Sequence, residues 1–155
     1  MAESIALRDE VSAKMKDAMK SGEKVRVGAL RLVMAALKDR EIEARGAGKI
    51  VSRADELALL TKMLKTRQET LTIYQQAGRT DLAAQESAEI AVIGEFLPTQ
   101  MGEAEVMAAA KAAIASTAAA SLKDMGKVVA ALKETYPGQM DFAKASAIVK
   151  ALLTA

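Results

Sequence analysis

The sequence predicts an all-α protein, and three observations support this fold class. Hydrophobic residues make up 51% of the 155-residue chain, which is enough to build a core. Ala, Leu and Met are abundant, whereas only two Phe, two Tyr and no Trp are present, so strong helix formers outnumber the residues that favour strands. Apolar residues recur every three or four positions, which is the spacing of one helix face. The predicted architecture is an N-terminal four-helix domain over residues 1–97 and a small three-helix domain over residues 98–155.

The first two helices are predicted from one cap and two apolar stripes. Ser4 is a suitable N-cap for a first helix that reaches about Lys20, where Ser-Gly closes it. A second helix is expected from about Val25 to Arg45, before a Gly-Ala-Gly stop. The expected core positions are Leu7, Val11, Met15 and Met19 in the first helix, and Val27, Leu30, Met34 and Leu37 in the second.

Two further helices complete the predicted N-terminal domain. Ser52 and Asp55 have the spacing of a capping box, which predicts the start of a third helix that stops at Gly78. Thr80 is predicted to cap a fourth helix that ends near Leu97. The expected core positions are Leu57, Leu60, Leu64, Leu71 and Tyr74 in the third helix, and Leu82, Ile90, Ile93 and Leu97 in the fourth.

The composition changes after residue 97, which places the domain boundary there. The last 58 residues contain 17 alanines and few large apolar side chains, so their helices are expected to pack closely. One helix is predicted over Glu103–Ala115. Ser121 with Asp124 predicts the start of the next, which ends near Tyr136, and Asp141 is expected to cap the last.

The residue inventory argues against a catalytic centre, a bound cofactor and a metal site. The chain has no cysteine and no histidine, so thiolate chemistry, the commonest general base and the commonest zinc ligand are missing. No string has the spacing of a phosphate-binding loop. Glu86 and Glu89 could hold Mg²⁺, but such residues are more often exposed partners of Lys or Arg, or acceptors for a neighbouring helix. With no signal peptide and no membrane-spanning run, a cytoplasmic protein is expected.

A net charge of only +2 means that any RNA contact would have to come from local basic patches. Lys24, Arg31, Lys38 and Arg45 recur every seven residues along one side of the second helix, a spacing that suits phosphate contacts. The same residues could instead cover the edge of the core and pair with Glu41 and its neighbours. From this row, Arg31 and Lys38 are candidate RNA-binding residues.

The second basic feature is the string Lys123-Asp124-Met125-Gly126-Lys127. Its two lysines share a helix face near an N-terminus, where free N–H groups favour anions. Gly126 would let a sugar-phosphate backbone approach, although close packing against an Ala-rich helix would explain it equally well. Lys144 on the last helix could extend the patch.

Several strings resemble the GatB/YqeY family, in the right order and over nearly the whole chain. They are Leu30-Arg31-Leu32-Val33, Arg67-Gln68-Glu69, Ala77-Gly78-Arg79, Phe96-Leu97-Pro98-Thr99-Gln100-Met101 and Lys123-Asp124-Met125-Gly126-Lys127-Val128. The resemblance implies two helical domains like the tail of the B subunit of glutamyl/aspartyl-tRNA amidotransferases. That tail reaches the tRNA, while amide transfer belongs to other parts of the enzyme. The chain is therefore expected to be a tRNA-binding accessory module without a catalytic site.

Two other functions stay open from the sequence. The chain could be a helical protein–protein adaptor that docks on an aminoacyl-tRNA synthetase or an amidotransferase subunit. It could also be a non-catalytic component of a carbon–nitrogen ligase that uses glutamine as amido-N-donor.

Overall fold

The computed structural model describes residues 6–155 and consists of helices and their connections. In that range there are seven α-helices, one 3₁₀ turn and no β-strand, which confirms the all-α prediction. The helices are α1 Leu7–Lys20, α2 Lys24–Gly46, α3 Arg53–Gln76, α4 Thr80–Gly94, α5 Glu103–Ser116, α6 Met125–Thr135 and α7 Phe142–Thr154, with the 3₁₀ turn at Leu122–Asp124. The chain divides into two compact units, Met1–Leu97 and Pro98–Ala155. That each unit is an independent domain stays a prediction.

The first unit is organised around α2, which packs against α1, α3 and α4, while α3 also packs along α4. The inner face of α2 carries Leu30 and Val33, neither of which has any exposed surface. Their burial is supplied by apolar side chains of the neighbouring helices, including Val11, Leu60 and Ile93. Each fully buried side chain of this size stabilises the fold by about 1.5–3 kcal/mol.

The predicted stripe of α1 is wrong at one position. Leu7 and Val11 are fully buried and Met15 packs against the same core, but the side chain of Met19 is 55% exposed. Ala18 is buried in its place, because a helix with 3.6 residues per turn drifts away from a strict four-residue repeat. The predicted cap at Ser4 lies outside the described residues.

The helix starts in this unit agree with the sequence at α3 but not at α4. The Ser52 hydroxyl accepts a hydrogen bond from the Asp55 N–H at 3.1 Å, and the Asp55 carboxylate accepts one from the Ser52 N–H at 3.0 Å. Thr80, predicted as a cap, is instead the first residue of α4. The reversal at Gly78 (φ +69°) sends the Arg79 N–H back to the Tyr74 carbonyl at 2.9 Å, so Arg79 occupies the cap position without a side-chain bond.

The second unit is a three-helix bundle in which α5, α6 and α7 all pack against one another. Small residues allow this close arrangement: Ala110 and Ala145 are fully buried beside Val128 and Val149. The predicted cap of α7 is confirmed, since the Asp141 carboxylate accepts a hydrogen bond from the Ala143 N–H at 3.0 Å. Ser121 directly precedes the 3₁₀ turn, and the α-helix itself starts later than predicted, at Met125.

Two hydrogen bonds tie the start of the second unit to the turn before α7. The Gln100 side chain donates to the Gly138 carbonyl at 2.7 Å, and the Met101 N–H donates to the Gln139 carbonyl at 2.8 Å. Gln100 also donates to the Pro98 carbonyl at 3.0 Å. Within the second unit, these bonds hold the segment before α5 against the turn between α6 and α7.

Two leucines on opposite faces of α2 allow a test of this packing. We expect Leu30→Ala to lower the free energy of unfolding by about 2–5 kcal/mol, because the residue is fully buried. Leu32→Ala removes the same atoms from a side chain that is 43% exposed, and should change stability by less than about 1 kcal/mol. Urea unfolding followed by circular dichroism measures both. Equal losses would contradict the assigned rotation of α2.

Candidate functional site

A charged cluster between α3 and α4 is the most enclosed polar feature of the first unit. Arg67 Nη1 lies 3.1 Å from a carboxylate oxygen of Glu86 and 2.6 Å from one of Glu89. Both glutamates are buried, at 8% and 6% exposure. Gln85 donates a further hydrogen bond to Glu89 at 3.4 Å. One guanidinium therefore holds two carboxylates together across the α3–α4 interface.

This cluster corrects the expectation that Glu86 and Glu89 are exposed. They do pair with an arginine, but in the interior, because the three-residue spacing puts both on the α4 face that packs on α3. Within residues 6–155, no group of three or more acidic side chains is arranged to hold a metal ion. The two glutamates therefore connect α4 to α3 through ion pairs with Arg67.

The start of α6 presents the basic feature singled out in the sequence. Lys123, Gly126 and Lys127 are all exposed there. The Asp124 carboxylate between them accepts hydrogen bonds from the backbone N–H groups of Ala120 (2.8 Å) and Ser121 (3.2 Å), and lies 3.4 Å from Lys127 Nζ. The backbone hydrogen bonds, and more weakly Lys127, hold the pKa of Asp124 below its usual range. The Asp124 carboxylate therefore mainly stabilises the backbone before α6.

Gly126 itself is not explained by packing inside the protein. A β-carbon added at this position would meet no atom within 4 Å, and its φ lies in the ordinary helical range. The alternative of close packing against an Ala-rich helix is therefore wrong. Gly126 leaves the backbone of the first turn of α6 bare and open to an incoming molecule.

The other candidate residues are exposed but belong to different elements. Lys144 is exposed on α7, a helix that packs against both α6 and the 3₁₀ turn. Arg31 and Lys38 are exposed on α2, in the other unit. The sequence offered ion pairs with Glu41 and its neighbours as one interpretation of the basic row on α2. Among the described residues this pairing is confirmed only for Arg45, which lies 3.5 Å from Glu41. Arg31 and Lys38 form no ion pair with any residue that the structure describes.

A cleft of about 370 Å³ at the end of the first unit was not predicted from any sequence pattern. Glu41 is central to it, with Arg8 at 2.6 Å and Arg45 at 3.5 Å, and Lys49 also lines the cleft. Glu56 lines it too. Burial is the largest influence on this carboxyl and raises its pKa, an effect that Arg53 opposes. Arg8 and Glu41 are far apart in the chain, so no local motif indicates their contact.

Of the four aromatic residues, all in the described part of the chain, one is buried and three are half-buried. Lys14 Nζ lies 5.0 Å from the Phe96 ring centre, and Phe96 is buried. Lys133 Nζ lies 6.0 Å from the Phe142 ring centre, while Tyr74 and Tyr136 are half-buried. None of the helices in residues 6–155 has the length and apolar character needed to cross a bilayer.

The comparison with protein families identifies the chain. The model of the Yqey-like protein family matches residues 8–153. The chain belongs to this family. The resemblance predicted from the ordered strings is thereby confirmed. The five strings of this YqeY-like protein lie on α2, on α3, in the turn between α3 and α4, at the junction after α4, and across the 3₁₀ turn and the start of α6.

One curated relative comes from Schizosaccharomyces pombe, where it is described as an uncharacterized protein. It is 27% identical over 92 residues, which cover 59% of the YqeY-like chain and 72% of the yeast protein. The relative's name states no activity, so this comparison supplies no function for the YqeY-like chain.

In the cluster of Arg67, Glu86 and Glu89, loss of the arginine should greatly lower stability, and loss of both glutamate charges should restore most of it. Arg67→Met should cost about 3–5 kcal/mol, because two buried carboxylates are left without their counter-charge. The triple variant Arg67→Met/Glu86→Gln/Glu89→Gln should regain most of that loss. The control Arg26→Met breaks the more exposed pair with Glu95 and should cost about 1 kcal/mol or less. Urea unfolding at pH 7 measures all three, and a triple variant no more stable than Arg67→Met would contradict the assignment.

Two carboxyl groups with opposite pKa shifts should give opposite responses to pH. The lowered pKa of Asp124 stabilises the fold above its unfolded pKa of about 3.9, and this stabilisation is lost as pH falls through the folded value. Asp124→Asn should therefore be destabilising at pH 7, with a deficit that shrinks in acid.

The raised pKa of Glu56 means that its charged form is disfavoured in the folded state, so Glu56→Gln should stabilise at pH 7 and converge with the parent in acid. Denaturation series between pH 7 and pH 3 test both signs.

Proposed function

We propose that this YqeY-like protein is a non-catalytic accessory module that binds the body of a folded tRNA. The observation that carries the proposal is the bare first turn of α6, where Gly126 leaves open space between two exposed lysines. The exposed Lys123 and Lys127, which flank this turn, are suited to contact a phosphate. Family membership supports a role beside translation, as the resemblance to the amidotransferase tail implies.

The rest of the second unit favours recognition of RNA shape over recognition of base sequence. Lys123, Lys127 and Lys144 provide positive charge, while the Phe142 ring is covered by Lys133. Single-stranded RNA is usually held by aromatic side chains that stack on bases, whereas folded RNA is contacted through its sugar-phosphate backbone. A small basic patch in a unit whose two aromatic residues are both half-buried matches the second mode, with modest affinity.

The proposal predicts salt-dependent binding of folded tRNA, measured by fluorescence anisotropy with a labelled tRNA. Lys123→Glu/Lys127→Glu should abolish most binding and lower the slope of log affinity against log salt by about 2, since roughly one phosphate contact is lost per lysine. Lys16→Glu/Lys20→Glu on α1 is the matched control, because it changes two exposed lysines at the same spacing. Equal losses in both variants would indicate a general effect of net charge.

A second variant separates the fold from the binding surface. Gly126→Leu places a side chain in open space, so the unfolding transition should be unchanged or slightly more stable. The same side chain would keep a phosphate away from the first turn of α6, and tRNA binding should weaken by about tenfold or more, equivalent to 1.4 kcal/mol. Unchanged binding by a folded Gly126→Leu variant would exclude this turn as the RNA site.

A further inference from the structure

The outward face of α2 carries an apolar row that none of residues 6–97 covers. We define the α2 seam as the exposed residues Val25, Gly28, Leu32, Ala35, Asp39, Ile42 and Gly46. Their spacing alternates between three and four residues, the repeat of a helix that packs along another helix. The seam spans nearly all of α2, or roughly 30 Å at 1.5 Å per residue.

The seam is apolar where an ordinary surface helix is polar. Val25 is 59% exposed, Leu32 43% and Ile42 63%, all on the side away from the buried Leu30, Val33 and Leu37. Isolated exposed apolar residues are normal in soluble proteins, but these three lie on the outward face of one helix and form a row along it. On α3, by contrast, Ile73 is the one exposed large hydrophobic residue, so it forms no row with others.

The small residues of the seam are not required by the protein's own packing. Gly28 lies inside α2 with an ordinary helical φ, and a β-carbon added there would meet no atom within 4 Å. Glycine weakens a helix interior, so the fold alone gives no reason for this residue. With Ala35 one heptad further along, it leaves only small residues between Val25, Leu32 and Ile42, apart from Asp39. A partner helix could approach closely there, because the side chains at the contact set the distance between helix axes.

One flank of the seam is uniformly basic. Lys24, Arg31, Lys38 and Arg45 each precede a seam residue directly. Lys24, Arg31 and Lys38 are exposed and make no ion pair within residues 6–155. On the opposite flank Ala29 is buried, Ala36 is half-buried, and Glu43 lies 3.8 Å from Arg40. Charges beside a helix seam select its partner, so this seam selects carboxylates on one side.

We propose that the α2 seam binds an acidic amphipathic helix of another protein. The apolar row would cover the partner's apolar stripe, and the basic flank would pair with its Glu or Asp residues. RNA phosphates could meet the basic flank but would leave Leu32 and Ile42 uncovered. A second copy of the chain, related by a two-fold axis with antiparallel helices, would place one basic flank against the other.

Asp39 at the centre of the seam adds a condition on the partner. A polar residue among apolar seam positions commonly fixes the register of paired helices, because it needs a polar neighbour. The partner helix is therefore expected to carry an amide or a basic side chain opposite Asp39. A continuous leucine stripe would leave this carboxylate facing an apolar surface.

The probe is a synthetic labelled peptide of about 25 residues, long enough to follow α2. It has a leucine stripe interrupted by one central Asn, with Glu on both flanks. Two controls keep its length: one replaces the flanking Glu by Lys, and the other scrambles the acidic sequence so that no stripe remains. Anisotropy with the full chain should show binding of the acidic amphipathic peptide only, and amide chemical-shift changes should centre on α2.

Matched variants locate the site. Ile42→Asp should weaken peptide binding at least tenfold, whereas Ile73→Asp should not, because the two isoleucines are equally exposed (63% and 62%) but only Ile42 lies in the seam. Gly28→Leu should leave the fold intact and weaken binding, because it adds a side chain where the partner helix approaches. Lys123→Glu/Lys127→Glu should leave peptide binding unchanged, and Ile42→Asp should leave tRNA binding unchanged, so the two proposals can fail separately.

Several results would overturn this inference. They are failure of the acidic peptide to bind, equal binding of the scrambled or Lys-flanked peptide, and equal effects of Ile42→Asp and Ile73→Asp. Loss of tRNA binding in Ile42→Asp would reassign the seam to RNA. A dimer seen by analytical ultracentrifugation and abolished by Ile42→Asp would reassign it to a second copy of the chain.

Discussion

Burial of the inner face of α2 fixes the rotation of this helix, and much of the first unit depends on that rotation. Leu30, Val33 and Leu37 are buried against the neighbouring helices, so the residues on the opposite side must face outward. A helix with one polar and one apolar face would satisfy the core alone. Here the outer face is also partly apolar and carries a basic row beside it. The interior thus determines which surface the protein offers to other molecules.

The sequence was informative wherever structure is decided by neighbouring residues. The capping pair Ser52 and Asp55 predicted the start of α3 correctly, because it acts within one turn of the helix. The apolar repeat of α3 was correct for Leu57, Leu60 and Leu64, but Leu71 and Tyr74 are only half-buried. The predictions were wrong where the geometry of a turn decides the helix start, or where the exact helical repeat decides which residue faces the core. The left-handed turn at Gly78 moved the start of α4 so that Thr80 entered the helix, and helical drift turned Met19 outward.

The candidate sites show the same division between local and distant information. The exposed Lys123, Gly126 and Lys127 are close in sequence, so their spacing alone was enough to predict a basic feature at a helix start. Whether Gly126 faces a neighbour or open space is a tertiary question, and the sequence left it open. The contacts of Arg67 with Glu86 and Glu89 join two helices, and the burial of the glutamates could not be predicted from spacing. In this protein, chemistry that lies along one helix can be predicted from sequence, whereas chemistry between helices cannot.

The bonds from Gln100 and Met101 to the carbonyls of residues 138 and 139 give the second unit a mechanical property. They clamp the point where the chain enters the unit to the turn that leads into α7. Tension applied at that entry point would load these two short bonds before α5 could be peeled from the bundle. Separating α5 from the bundle at this end therefore requires that both bonds break.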